Sequence, residues 1–487
     1  MDKPSVKGLS SSNRWCSIAM LEEDESALHR DRLSNLPEDL LLNIIERLDV
    51  ADAMRTSILS RRWKLIPTML SKILIMVGST DNMQERTCDV ARANATVLGA
   101  TRSLLESRSA SPCTIHRLCL QFYLGKGSKL IGRTVAKTIA KHKVGFAEFT
   151  ILTQKELERS SSADRFAYGL QFKLFLGTCP NAFIRLARLK LENLRLLESD
   201  IPCILKVCKR LEFLRLDNCD MGYRSLLAVE HPRLRELEIV SSEFERVDLS
   251  FLPELTTLTF SYWVSLHDPL SFGYVPLLHT VSISNTALSW HKMLKLSELL
   301  GKATVSNLHL GFESEKIWVK PEDRRKLSLV FSKLRFVNLA AISEECDLKW
   351  TLFVLQGAPS LEELCIKVCD CLRIWDEEER RKHAYSEKRK DAGTNWEASD
   401  FMHRKLSVLK IFGFQSEEKF MNYAKTVMEV AVNLKDIYLH EKPACEEKCA
   451  YSHRRGDRYP RTKRHKIWVR NNLDMDMHPL LRLHFRF

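Results

Sequence analysis

No run of about 18 apolar residues occurs, so no membrane span is expected, although 45% of the 487 residues are hydrophobic. Lys3 and Lys7 near the N-terminus are not followed by an apolar stretch, so a secretory leader is not expected and the chain should stay in the cytosol or nucleus. Also missing are a glycine-rich phosphate loop, an HExxH helix and a nucleophile elbow. The 15 histidines are scattered without acid–base pairing, so neither catalysis nor a cofactor is expected. Zinc spacing is absent too. Among the 14 cysteines the close pairs are Cys369-x-Cys371 and Cys445-x-x-x-Cys449, and neither has a clear second ligand pair, although His453 follows Cys449 by four residues. No metal is therefore expected. Cys119, Cys208, Cys219 and Cys365 sit in apolar settings and read as buried thiols of a reducing compartment.

What is present begins with length. A chain of 487 residues exceeds one compact core and predicts several domains or a solenoid. The net charge of +13 and pI near 9.1 leave room for acidic proteins or nucleic acid as partners.

The chain is organised around residues 31–63. Pro37 suits a first helical position, and Glu38 and Asp39 place negative charge against the positive end of the helix dipole. Leu40, Leu41, Ile44, Ile45 and Leu48 then form an apolar stripe at spacings of three and four. Asp49 to Asp52 breaks that pattern. Ala53, Met54, Ile58 and Leu59 form a second short face, and Ser60 can cap a third helix carrying Arg61, Arg62 and Trp63 before Pro67. Three short helices bury too little surface to stand alone, so something must cover their apolar faces. A helix-in-groove contact at Leu36/Leu40 and Ile44/Leu48 would do so; an ordinary helical cap on a larger domain fits these residues equally well.

The stretch resembles the F-box in the form common in plants. Leu36, Pro37, Asp39, Leu40, Leu41, Ile44, Ile45 and Leu48 match its first half, and Asp52, Ala53, Arg55, Thr56, Ser57, Leu59, Ser60, Arg61, Arg62 and Trp63 its second. Lys64-Leu65-Ile66-Pro67 departs from it where a second aromatic is common. The resemblance implies docking on the Skp-type linker of a cullin-based ubiquitin ligase through Leu36, Pro37, Leu40, Leu41, Ile44, Leu48, Leu59 and Trp63.

A repeat follows, of the form apolar-x-x-apolar-x-apolar. It starts at Ile115 and Phe146 and then at 186, 211, 234, 255, 278, 305, 334 and 361, with further units at Leu406 and Leu434. From 186 to 361 the gaps are 25, 23, 21, 23, 27, 29 and 27 residues, within or close to leucine-rich-repeat lengths. Several units share a prefix, as in His231-Pro-Arg-Leu234 and Ala358-Pro-Ser-Leu361. Stacked units bury what a single one cannot, which predicts an α/β solenoid with one strand per turn. Before it, Ile73 to Val77 reads as a strand and residues 88–108 as a helix.

Strand geometry also yields a candidate surface. If positions four and six of each unit point inward, position five faces out, with three and seven beside it. That places Lys190, Arg215, Glu238, Thr259, Ser282 and His309 on one stripe, flanked by Arg188, Glu192, Asp217, Glu236 and Asn307. Target binding is expected of Lys190, Arg215, Asp217, Glu236, Glu238 and His309; the plain alternative is a solvated strand face.

The interval from 361 to 406 is 45 residues and carries dense charge of both signs at 376–382 and 387–391, which predicts a solvated loop or a partly helical excursion. Residues 403–440 read as strand, turn, helix and strand, and resemble the FBD domain that closes many plant F-box/leucine-rich-repeat proteins. Arg454, Arg455, Arg458, Arg461, Lys463, Arg464, Lys466 and Arg470 then suggest a nuclear signal or a nucleic-acid contact, with a solvated basic tail as the simpler reading. The expected layout is a disordered leader at 1–30, F-box at 31–72, solenoid at 110–370, charged insertion at 371–402, FBD-like cap at 403–440 and basic tail at 441–487. The resemblance implies a substrate-recognition adaptor that binds a Skp-type linker, through it a cullin, and an unknown protein target. The alternative is a scaffold or nucleic-acid-associated binder acting through its tail.

Overall fold

The computed structural model of the chain describes residues 36–48, 50–59, 63, 69–77, 90–106, 114–222, 225–301, 303–369, 377–386, 401–441 and 458–487. The expected leader, Ser60 to Arg62, Cys371, Cys445, Cys449, His453, Arg454, Arg455 and the charge run at 387–391 lie outside these residues. Among the described residues, fourteen strands form one parallel sheet: β1 (Lys72–Ile75), β2 (Thr114–Tyr123), β3 (Lys143–Leu152), β4 (Leu186–Glu192), β5 (Phe213–Asp217), β7 (Glu236–Val240), β9 (Thr257–Ser261), β11 (Thr280–Ser284), β12 (Asn307–Gly311), β13 (Phe336–Ile342), β14 (Glu363–Val368), β15 (Val408–Phe412), β16 (Asp436–His440) and β17 (Arg482–Arg486). They neighbour one another in that order. A second, three-stranded parallel sheet, β10-β8-β6, is built from β6 (Leu226–Glu230), β8 (Arg246–Phe251) and β10 (Leu270–Tyr274). Elsewhere the return path of each turn holds helices.

The repeat determines this arrangement residue by residue. Position-four and position-six side chains such as Leu189/Leu191, Leu214/Leu216, Leu237/Ile239 and Leu258/Phe260 are all buried. The shared prefix is a turn at the entry to the strand: Leu211 N–H donates to Cys208 O (2.9 Å), Leu255 to Leu252 O (3.1 Å), and Leu361 to Ala358 O (3.0 Å). Strand ends repeat as well. Asn193, Asn218, Ser241 and Tyr262 all take positive φ just after β4, β5, β7 and β9, and each donates its N–H to the neighbouring turn. The two asparagines suit that left-handed backbone, and they form a buried side-chain ladder: Asn218 Nδ2 donates to Asn193 Oδ1 (2.6 Å), and Asn193 Nδ2 to Thr153 Oγ1 (2.6 Å).

Helix α1 (Glu38–Ile45), α2 (Val50–Arg55) and a 3₁₀ turn at Thr56–Ile58 lie at the β1 end of the sheet. Helices α3 (Val90–Glu106), α4 (Ser128–Lys141) and α5 (Ser162–Thr178) cover the next turns. Phe122, Phe149, Phe175 and Phe183 fill that part of the core edge-to-face, with centroids 5.1–5.9 Å apart. In α5, Gly169 lets the helix lie on the Arg195 carbonyl, because a Cβ there would overlap that oxygen. Gly169→Ala is therefore expected to lower stability by about 1–3 kcal/mol. Gly99→Ala in α3, whose Cβ would meet nothing within 4 Å, should be neutral or stabilising. Thermal denaturation of both variants checks the pair, and equal melting temperatures would refute the close-approach account.

Several expectations need correction. The first repeat starts two residues late in the structure: Leu120 and Phe122, not Leu118 and Leu120, pair with Phe149 and Ile151. The charged insertion takes the partly helical course of the two expected, and it is not solvated throughout. Its helix Glu377–Lys382 carries Arg380, which is buried against Glu315, with Nη1 to Oε1 at 2.9 Å and Nη2 to Oε2 at 2.5 Å. The segment 403–440 does not end the array, and the supposed basic tail is not a loose one. Residues 458–487 add helix Lys463–Asn472 and strand β17, one more turn of the same solenoid. Pro479-Leu480 with Leu483 and Phe485 carried the repeat signal, although Leu481 rather than Leu480 is buried.

Candidate functional sites

The first site is on α1. Leu40 and Leu41 N–H groups both donate to Pro37 O (3.1 Å each), which starts the helix at the proline, with Glu38 and Asp39 in its first turn. Its two apolar faces then separate. Leu41 and Ile45 turn inward and are buried with Ala53, Trp63, Leu70 and Ile73. Leu40, Ile44 and Leu48 turn outward, 47%, 38% and 40% exposed, and Leu59 (62%) and Ile58 (85%) are exposed nearby in the chain. Leu36 is half-buried against the core and Pro37 is exposed. Among the expected linker contacts, Leu41 and Trp63 are thus corrected: they hold the helices together and do not face outward. The helices connect to the sheet through Ser71 Oγ, which donates to Glu46 Oε1 at 2.6 Å. Among the described residues Leu40, Ile44 and Leu48 form an exposed apolar ridge, a candidate interaction surface.

The second site is the strand face. The register places Lys190, Arg215, Glu238, Thr259, Ser282 and His309 side by side on six consecutive strands. Glu192 and Asp217 are paired in the row beside them, and Arg188, Phe213 and Glu236 in the row on the other side. Near β3–β7 the charges are engaged with one another. Arg215 reaches Glu238 (2.9 Å) and Asp217 (2.7 Å), while Lys190 (3.4 Å) and Arg188 (3.9 Å) both approach Glu148. The Arg188 guanidinium also lies 3.6 Å from the Phe213 ring centroid. Farther along, His309 meets Asn338 at 3.1 Å, and burial followed by the Lys367 charge holds its pKa below the ordinary histidine value. The rows continue past His309 through Asn338, Cys365, Lys410, Tyr438 and His484. Sequence reasoning stopped at His309, although the same position arithmetic extends to these residues.

Burial pushes the Cys208 and Cys219 thiols up to about 12, away from the nucleophilic thiolate. Among the described residues, no group of three or more His, Cys, Asp or Glu is placed to hold a metal, and no helix is long and apolar enough to cross a membrane. Of the C-terminal basic residues, Arg458 approaches Glu417 (3.4 Å), Arg461 is hydrogen-bonded to Glu441 (2.6 Å) and Lys466 lies over the Phe487 ring.

Comparison with known proteins agrees with this layout. Residues 175–468 match the family described as At1g61320/AtMIF1, LRR domain, and residues 33–73 match the F-box domain. An Arabidopsis thaliana F-box/FBD/LRR-repeat protein, At5g56420, is 26% identical over 250 residues, which are 48% of this chain and 56% of that protein. At5g56390, named in the same organism as an FBD-associated F-box protein, is 24% identical over 376 residues, covering 71% and 79%. At5g56810, of the F-box/FBD/LRR-repeat kind, is 42% identical over 59 residues, 12% of this chain and 14% of that protein. The chain therefore spans less than two thirds of the length of At5g56420 and of At5g56810.

Proposed function

Because the chain belongs to the plant F-box/leucine-rich-repeat proteins, we propose that it is the substrate-recognition subunit of a Skp-cullin-F-box ubiquitin ligase. The observation that carries the reading is the outward Leu40/Ile44/Leu48 ridge, set apart from an inward face that already has its core. A linker protein covers that ridge, and a target protein lies on the strand face of the solenoid, the usual binding surface of such arrays. The chain supplies position and no bond-breaking group; ubiquitin transfer belongs to its partners, which act on a target held nearby. Its place of action is the nucleus, the cytoplasm or both. The test is a pull-down with a Skp-type linker, wild type against Leu36→Ala/Pro37→Ala. Capture by the wild type and loss in the variant supports the adaptor; no capture by the wild type refutes it.

The strand face has its own prediction. Arg215→Glu/Glu238→Arg exchanges the two ends of an ion pair, so the pair is kept while the local polarity is reversed. Linker binding should stay unchanged, the melting temperature should fall only slightly through loss of the Arg215–Asp217 contact, and the proteins co-purified from proteasome-inhibited plant extract, quantified by mass spectrometry, should be lost. An unchanged set of co-purified proteins removes this stripe as the target site.

A further inference from the structure

Across β14–β17 the two outer rows change character. One holds Cys365, Lys410, Tyr438 and His484, and the other Lys367, Phe412, His440 and Arg486. No carboxylate stands in either row. The same two rows on β4, β5 and β7 place Glu192, Asp217 and Glu238 among Lys190 and Arg215. The nearby carboxylates are engaged at the margins: Glu363 with Lys410 (2.6 Å), Asp436 with Arg482 and His484 (2.7 Å each), and Glu441 with Arg461 (2.6 Å). Among the described residues, Lys367 and Arg486 have rings rather than acids for partners. Lys367 Nζ is 5.6 Å from the Phe412 ring centroid, and the Arg486 guanidinium 5.7 Å from that of Tyr438.

The rings are paired with one another. Phe412 stacks on His440 at 4.0 Å and 9°, and Tyr438 on His484 at 4.4 Å and 11°. Stacking turns ring faces toward each other and leaves edges at the surface, and the edge is the positive part of an aromatic quadrupole. Burial, then the charges of Arg486 and Lys410, lower the His440 pKa, which is the direction a positive surface gives. Lys367 and Arg486, which face rings, together with the exposed ring edges favour an anion, while Lys410 and His484 are already engaged by Glu363 and Asp436.

We propose that the strand face over β14–β17 is a docking site for an acidic peptide segment, rich in Asp and Glu, of the protein target. This inference rests on the reading of the strand face as the target surface. Four strands span about 15 Å, the length of an extended segment of four or five residues. A nucleic acid fits less well, because base binding needs free ring faces and these rings cover each other.

The test uses the full chain and three fluorescein-labelled probes: octaglutamate, octalysine and octathymidylate. Anisotropy should show octaglutamate bound, weakened by added salt, and weakened about tenfold in Lys367→Gln/Arg486→Gln. Lys209→Gln/Lys333→Gln removes the same charge from exposed sites elsewhere and should leave binding unchanged. Circular dichroism establishes that both variants fold. Equal loss in the two variants, octathymidylate binding at least as tightly as octaglutamate, or no octaglutamate binding overturns the proposal. A linker pull-down run in parallel separates the two readings: linker capture without peptide binding refutes this patch alone, and peptide binding without linker capture refutes the ubiquitin-ligase reading alone.

Discussion

Leu40→Asp/Ile44→Asp is expected to weaken linker binding by more than about 100-fold while leaving the melting temperature unchanged. Both side chains point outward, 47% and 38% exposed, so a carboxylate there stays in water in the free chain. In the complex it would be buried without a partner, and the burial of two apolar side chains, each about 1.5–3 kcal/mol, would be forfeited as well. The comparison that gives the result meaning is Leu41→Ala and Trp63→Ala on the inward side. These should destabilise the helical module by about 2–5 kcal/mol and reduce linker binding only as far as the module unfolds. Calorimetric titration of the linker with a melting curve for each variant distinguishes the two faces. If Leu40→Asp/Ile44→Asp binds normally, the outward ridge is not the docking surface.

Arg380→Ala should produce the largest loss of stability, about 3–5 kcal/mol, because it removes one partner of a buried bidentate ion pair with Glu315. The pair is enclosed, and the rest of the insertion is organised around it. Arg380 Nε donates to Ser386 O at 2.9 Å, and Ser289 N–H donates to Ala384 O at 2.7 Å. Breaking the pair should therefore also expose 377–386 to protease. Replacing both partners, as in Arg380→Met/Glu315→Leu, removes the buried charges together and should recover most of the loss. Denaturant unfolding of the two single variants and the double variant closes the cycle. If Arg380→Ala matches the wild type in midpoint and protease resistance, the insertion is not anchored here.

That ion pair also shows where sequence reading stops. In a run of charges such as Asp376-Glu-Glu-Glu-Arg-Arg-Lys, Arg380 is indistinguishable from its solvated neighbours. Its burial is decided by a glutamate 65 residues earlier, and no local pattern records such a partner. The strands were legible because each one repeats a pattern with period two: buried positions four and six required an outward position five, and the register bears this out from Lys190 to His309. The F-box helices were legible as an amphipathic pattern, but which of two adjacent apolar faces turns inward depends on what packs beneath. Leu41 and Leu40 are alike in sequence, yet Leu41 joins the buried cluster that includes Trp63 and Ile73 while Leu40 stays exposed. The small sheet of β6, β8 and β10 went unread although its alternation is clear at Leu227/Val229 and Val247/Leu249, because only one strand per turn was sought. β17 was hidden by the arginines and lysines preceding it, which resemble a tail until the strand pairs.

The order of the large sheet has a consequence for how the chain is made. Apart from the small sheet, each strand pairs with the strand synthesised before it and the one synthesised after it. A strand leaving the ribosome therefore finds its first partner already formed and need not wait for a distant segment. The sheet can lengthen from the N-terminal end at the pace of translation. At every stage one growing edge is open, and the C-terminal edge of the described sheet is β17, whose Arg482 and Arg486 are charged and exposed. Charged side chains on an edge strand discourage pairing with another copy, so the strand that extends the described sheet to this edge also keeps one molecule from continuing another's sheet there.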